Sequence, residues 1–217
     1  MVLIRPPPPP PEWLQPFLAH CRKRRFANHT DIMRPGEVAD SLFFILSGSV
    51  TVLSENDEGR EIVLTYLNKG DFVGEMAMFL AKPSRSVRVR ARTACELAEI
   101  SYPRFEALLQ GELHEHTRDI LFAIGRQLTE RLIQTSRKVG TLAFLDVTGR
   151  IAATLLELCK QPDAMTHPDG MQIRITRQEL GRVVGCSREM AGRVLKSLEE
   201  QGLLHARGKT IVVFNAR

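Results

Sequence analysis

Two short stretches of the chain carry residue types that could do chemistry. In the first, Gly74-Glu75 follows a strand-like segment and Arg85-Ser86 follows a short connecting loop, before Val87-Arg88-Val89-Arg90 resumes strand alternation. Arginine offers a planar fork of donors suited to a phosphate. Ser86 adds a hydroxyl, and backbone N–H groups of the loop can add more. Glu75 is acceptor-only and suits a ribose hydroxyl, and a glycine before it lets a ligand approach the backbone. The plainer alternative is a surface ion pair between Glu75 and Arg85. Hydrolysis lacks its parts, because no positioned base accompanies Ser86 and no metal-ligand cluster is visible, so no catalytic residue is expected.

The second stretch is RQELGRVVGCSREMAGRVLK, Arg177 to Lys196. Leu180, Val184, Cys186, Ala191 and Val194 have the spacing that packs two short helices across a tight turn. Gly185 falls where a helix-turn-helix needs a left-handed residue, Gly181 keeps the crossing close, and Ser187 is a natural N-cap. Arg188, Glu189, Gly192 and Arg193 are left facing out. In the major groove Arg reads guanine and Glu accepts from cytosine. LLHARGKTIVVF then folds as a hairpin with Arg207-Gly208-Lys209 at its tip, a basic wing. An ordinary helical hairpin accounts for the apolar spacing, but not for the polar face and the wing together.

The element that must join these stretches runs from Arg118 to Leu145. Leu121, Gly125, Leu128, Leu132, Thr135, Val139 and Leu142 follow at steps of four and three, a heptad seam without proline. The alternative is a core helix of one domain. The seam, and the different composition on either side, predict a dimer spine between a sensor and an effector. From Phe26 to about Tyr102 the period is two: LFFILSGSVTVL, REIVLTYL, DFVGEMAMF, SVRVRAR and CELAEISY, separated by Pro35-Gly36, Ser47-Gly48, Asn56-Asp57-Glu58-Gly59, Lys69-Gly70 and Lys82-Pro83. That pattern predicts an antiparallel roll or sandwich. Glu12 to Arg25 reads as a short helix ending in a basic run, and residues 103 to 117 as a helix and loop. Asp146 caps a helix to Cys159, QPDAMTHPDG is a polar loop, and Met171 to Ile175 alternates like a strand.

At 217 residues the chain is one large domain or two small ones. No apolar run reaches the roughly 20 residues of a membrane span. MVLIR is followed by prolines rather than an apolar stretch, so the cytoplasm is the expected location. Cys21, Cys95, Cys159 and Cys186 are scattered without a CxxC, which disfavours disulfides and zinc. The net charge is +5; from Val147 onward eleven Lys/Arg against seven Asp/Glu give +4, so the basic excess lies with the helix-turn-helix.

In order, LAHCRKRR, GSVTVL, YLNKGDFVGE, TACELAEISY, RKVGTLAFLDVTGRIA, KQPDAMTHPDGMQI, ITRQELGRVVGCSRE and HARGKTIVV resemble segments of the bacterial cyclic-AMP receptor protein (catabolite activator protein) family. The resemblance covers nearly the whole chain after the prolines. It implies an α+β protein: a disordered proline-rich leader (1–11), an antiparallel, jelly-roll-like β-roll binding a cyclic nucleotide (12–117), a dimerisation helix and hinge (118–145) and a winged helix-turn-helix (146–217). It implies cyclic AMP as allosteric ligand, bound by Leu64, Thr65, Gly74, Glu75, Met76, Arg85, Ser86, Arg131 and Thr135, with Ser136 crossing from the partner subunit. It implies a homodimer that binds double-stranded DNA through Arg177, Gln178, Ser187, Arg188, Glu189, Gly192, Arg193, Lys196 and Lys209. It also implies RNA polymerase contacts through Thr166, His167 and Gly170, and through Arg22, Arg24, Glu99 and Arg104; no metal or membrane partner is expected.

The chain departs from the family's pattern at Ala77, where close members have glycine, and in an insertion-like stretch at 110–117. Arginines also stand where N-terminal histidines are usual. GEMAMF, SREMAGRVLK and LLHARGK are similar to a branch that responds to cyclic di-GMP. That branch replaces the serine of the Arg-Ser pair with an acid. Ser86, Thr135 and Ser136 are retained here, which favours cyclic AMP. A constitutive DNA-binding protein with a vestigial pocket is the remaining alternative.

Overall fold

The computed structural model describes residues 9–56, 58–80 and 84–216. The expected proline-rich leader falls mostly on residues 1–8, outside the described residues, as does the Lys82-Pro83 turn signal. Along the chain run α1 (Leu14–Ala19), β1 (Arg22–Phe26), β2 (Asp31–Met33), β3 (Ser41–Ser47), β4 (Ser49–Glu55), β5 (Glu61–Asn68), β6 (Phe72–Val73), β7 (Arg88–Ala91) and β8 (Cys95–Ser101). Then follow α2 (Tyr102–Gln110), α3 (Thr117–Phe144), α4 (Val147–Cys159), β9 (Met165–His167), β10 (Gly170–Arg174), α5 (Arg177–Val184), α6 (Arg188–Glu200), β11 (Leu204–Arg207) and β12 (Thr210–Phe214).

These elements make two compact units, Met1–Val50 with Leu67–Glu130, and Thr51–Tyr66 with Arg131–Arg217. The division passes through α3 after Glu130, and it gives the β4–β5 hairpin to the second unit.

In the first unit β1, β8, β3 and β6 form an antiparallel sheet in that order, and β2 pairs with β7, Asp31 opposite Arg90. An aromatic cluster fills the core. Phe17 of α1 is entirely buried, and its ring meets Trp13, Phe44, Phe72 and Phe105 edge-on at centroid distances of 5.8 to 6.3 Å. Each such ring stabilises the unit by about 1.5–3 kcal/mol through burial, with more from the edge-to-face geometry. Ile120 and Ile124 of α3 are buried in the same cluster.

Two local expectations are corrected. Arg22–Arg25 is not the end of a helix from Glu12; it is the edge strand β1. Arg24 and Arg25 reach Glu99 and Glu96 of β8, each at 3.1 Å, and the Arg24 guanidinium stands 5.1 Å from the Phe26 ring centre. DFVGEMAMF is not one strand: β6 stops at Val73, and Glu75–Phe79 is a 3-10 turn.

In the second unit the Asp146 side chain accepts from the Gly149 N–H at 2.8 Å and starts α4, as its position predicts. The sheet order is β11-β12-β10-β9. The stretch read as a polar loop thus contains a strand, β9, which pairs with β10. Ile151, Leu155, Leu180, Val184, Ala191, Leu195 and Leu198 form the core, and Leu53 and Val63 of the β4–β5 hairpin are buried in it. The Tyr66 hydroxyl donates to Glu179 at 3.4 Å, and Arg182 pairs with Glu61 at 3.1 Å. The Lys138 ammonium donates to the Val63 carbonyl, and burial holds its pKa below the ordinary lysine value.

Candidate functional site

The end of β6 decides the geometry of the first site. Gly74 has φ 89°, a left-handed conformation that turns the chain out of the strand into the 3-10 turn. A Cβ there would stand 2.6 Å from Arg85 Nη1 and 3.0 Å from the Ser41 carbonyl oxygen, so only glycine lets the guanidinium lie against the backbone. The loop strand carrying Arg85 is tied to the turn at Pro35-Gly36. The Gly36 N–H donates to the Arg85 carbonyl at 2.9 Å, and the Arg85 N–H to the Glu37 carbonyl at 3.0 Å.

Arg85 is only 8% exposed and Glu75 is fully buried, so neither belongs to a surface ion pair. Arg85 Nη2 donates to the Ser41 carbonyl at 2.7 Å, and Nη1 to the Tyr102 hydroxyl at 3.0 Å. Ser86 is exposed beside it and Met76 is exposed on the 3-10 turn. The structure therefore brings Gly74, Glu75 and Arg85 together in the first unit. It adds two groups that sequence reasoning missed, the Ser41 carbonyl and the Tyr102 hydroxyl. Neither had a signal, since they lie 44 and 17 residues from Arg85.

The other expected ligand residues lie in the second unit. Leu64 is exposed and Thr65 half-buried on β5. On α3 Arg131 is half-buried, while Thr135 and Ser136 are exposed. Leu132 and Val139 are 67% and 61% exposed, and Leu142 is exposed too, a row of apolar side chains that the unit itself leaves uncovered.

The helix-turn-helix is built as its sequence requires. Thr176 caps α5 by accepting from the Glu179 N–H, and Ser187 caps α6 by accepting from the Met190 N–H, each at 3.1 Å. Gly185 closes α5 at φ 72°. Arg177, Gln178, Ser187, Arg188, Glu189, Arg193, Lys196 and Lys209 are all exposed; Gly192 is half-buried, and a Cβ there would stand 3.4 Å from Arg177 Cδ. The Glu189 carboxyl is held below the usual carboxylate range, first by its own backbone N–H and then by the Ser187 hydroxyl. It is therefore an ionised acceptor, the form that takes a hydrogen bond from a cytosine amino group.

Of the residues expected to meet polymerase, Thr166 is exposed and His167 half-buried, with His167 Nδ1 accepting from the Asp169 N–H at 3.3 Å. Gly170 is buried at the start of β10, paired with both His167 and Phe214, so it is not a surface group. Arg22 and Arg24 are exposed beside Glu99, and Arg104 approaches His20 at 3.3 Å. The four cysteines are free, and burial pushes the Cys21 thiol up to about 12 and Cys95 to about 11. Among the described residues no helix is long and apolar enough to cross a membrane, and no cluster could hold a metal ion.

Residues 23–112 match the cyclic nucleotide-binding domain, and residues 149–217 match the Crp-like helix-turn-helix domain. The chain is 58% identical over 207 residues to the cAMP-activated global transcriptional regulator Vfr of Pseudomonas aeruginosa, covering 94% of each. It belongs to the CRP family of transcription regulators. Another CRP-family relative, the CRP-like protein Clp of Xanthomonas campestris pv. campestris, is 54% identical over 204 residues, 94% of this chain and 89% of Clp. The solved structure of the c-di-GMP-responsive global regulator CLP of Xanthomonas campestris matches at a TM-score of 0.89, covering 93% of this chain and 98% of that one. As a CRP-family regulator the chain is not an enzyme; it joins a cyclic-nucleotide domain to a DNA-binding one.

Proposed function

We propose that this regulator answers to cyclic AMP and, as a cytoplasmic homodimer, reads a palindromic DNA site and contacts RNA polymerase. One observation carries the ligand reading. The buried Arg85 fork lies against left-handed Gly74, and exposed Ser86 follows it in the chain, a set of donors suited to one compact phosphodiester. Kinship with Vfr supports it. Leu64, Thr65, Met76, Arg131, Thr135 and Ser136 are assigned to the nucleoside end. The uncovered apolar residues of α3 support the dimer, since burying them in a partner helix removes their area from water. Thr166 with His167, and Arg22 with Arg24 and Arg104, are assigned to polymerase.

Cyclic di-GMP is the second reading, favoured by the likeness to Clp. Calorimetry with cyclic AMP, cyclic GMP and cyclic di-GMP on dialysed protein separates the two. Cyclic AMP should bind, and Arg85→Ala should weaken it by about 1.5–3 kcal/mol, tenfold or more. Cyclic di-GMP binding that survives Arg85→Ala, with no cyclic-AMP binding at all, overturns the first reading. DNA affinity unchanged by any of the three nucleotides would mark a constitutive DNA-binding protein instead.

A further inference from the structure

We infer that Tyr102 is the positioning residue of the nucleotide site: its hydroxyl joins Arg85 to the backbone at Gly74 and so presents both to a bound phosphate. This rests on Arg85 being the phosphate-binding group. The Tyr102 oxygen accepts from Arg85 Nη1 at 3.0 Å and donates to the Gly74 carbonyl at 2.7 Å. A phenol can do both at once; phenylalanine can do neither.

The Tyr102 backbone is itself fixed. It is the first residue of α2, and its N–H donates to the Asp40 carbonyl at 2.9 Å. Ser41, next in sequence, pairs with Ser101 across β3 and β8 and offers its carbonyl to Arg85 Nη2. One end of the β3–β8 pair thus holds the guanidinium at both terminal nitrogens. The Tyr102 ring adds a face 5.9 Å from the Arg85 charge.

This arrangement has two effects on a ligand. Arg85 sits in a loop, and a free arginine gives up considerable rotamer freedom when it binds. Here that cost is met on folding, and the protein contacts take two of the five guanidinium donors, leaving others for the phosphate. The second effect acts through the peptide plane. Because the Gly74 carbonyl is fixed by Tyr102, the Glu75 N–H of the same planar unit is aimed the opposite way. Burial pushes the Tyr102 phenol pKa up, against the pull of the Arg85 charge, so the hydroxyl keeps the proton it donates.

The test is a double-mutant cycle on the full-length protein, read by calorimetry with cyclic AMP and cyclic di-GMP. Tyr102→Phe keeps the ring and should weaken the nucleotide that binds by about tenfold. In an Arg85→Ala background the same change should have a clearly smaller effect, because only its action through the Gly74–Glu75 peptide remains. The Sp and Rp phosphorothioates of cyclic AMP give a readout that general loosening does not move. Their affinity ratio should fall several-fold in Tyr102→Phe, since a less constrained fork distinguishes the two exocyclic oxygens less well. If Arg85→Ala loses binding while Tyr102→Phe keeps both affinity and ratio, the positioning role is wrong and the site reading stands. An equal loss from Tyr102→Phe with and without Arg85 makes Tyr102 merely structural. If Arg85→Ala binds as the wild type does, the site reading fails and the role of Tyr102 fails with it.

Discussion

Gly181 of α5 lies against the carbonyl oxygen of Cys186, so close that a Cβ on Gly181 would stand 2.6 Å from that oxygen. The turn of the helix-turn-helix is therefore closed by backbone packed on backbone, with Gly185 and Cys186 N–H groups both donating to the Gly181 carbonyl at 2.9 Å. Gly181→Ala has no flexible side chain to push aside. It should cost about 1–3 kcal/mol as overpacking, seen as a lower unfolding midpoint. DNA affinity should fall sharply while calorimetric nucleotide binding stays near the wild-type value.

Base reading and phosphate holding should separate by mutation. Arg188→Ala should cost about 1–3 kcal/mol and relax preference at one base pair per half-site, with half-sites roughly 34–36 Å apart. Lys209→Ala, at the exposed wing tip, should weaken all sequences alike and flatten the dependence of affinity on salt. Footprints and salt titrations of the two variants check this; an unchanged footprint for Arg188→Ala contradicts the assignment.

Acid should find Asp31. Partial burial alone would push its carboxyl up, but hydrogen bonds from Arg90 at 2.7 Å and Arg34 at 3.3 Å, with Arg88 nearby, hold it below the ordinary value of 3.8. A carboxylate depressed in the folded state contributes stability that is complete above its unfolded pKa. That stability is lost as pH falls through the lower folded value. Asp31→Asn should therefore be less stable than the wild type at pH 7, by about 1–2 kcal/mol. The gap should close below pH 3.8, and denaturant unfolding at pH 7, 5 and 3 measures it.

On α3, Thr135 is an exposed hydroxyl among exposed Leu132, Val139 and Leu142. Leu132→Glu should turn the dimer into monomer in sedimentation, because it puts a charge where apolar surface is to be buried. Thr135→Leu should keep the dimer or tighten it, yet lose much of the gain in DNA affinity that the proposed function expects from cyclic AMP. A full ligand-induced gain in Thr135→Leu would make α3 a dimer contact only, since a ligand shifts a balance only through its differential affinity for the two states.

Where the sequence speaks through periodicity, it was readable. The short strands, α3, and the paired helices of the DNA-binding domain each carry their pattern in contiguous residues. β1 was misread because an edge strand is kept polar: Arg22 to Arg25 show no apolar alternation, and their partners Glu96 and Glu99 lie some 70 residues away. β9 is three residues long between prolines, too short for a period. At the candidate site, Gly74, Glu75 and Arg85, which the structure brings together, could be named from residue type and spacing. What holds Arg85 could not, because a carbonyl has no sequence signature and Tyr102 is one aromatic residue among several at a helix start. Gly170 looked like part of a surface loop until its strand pairing put it inside.

The β4–β5 hairpin gives the molecule an awkward seam for engineering. Leu53 and Val63 complete the core around Ile151 and Leu180, although more than eighty residues of chain separate each of them from α4. A fusion that transplants residues 146–217 onto a foreign sensor would carry an open socket where those two side chains belong. The transplanted piece would be prone to self-association through it. The exchangeable cassette is a discontinuous one, and a working hybrid has to bring residues 51–66, or a hairpin of the same shape, along with the reader of DNA.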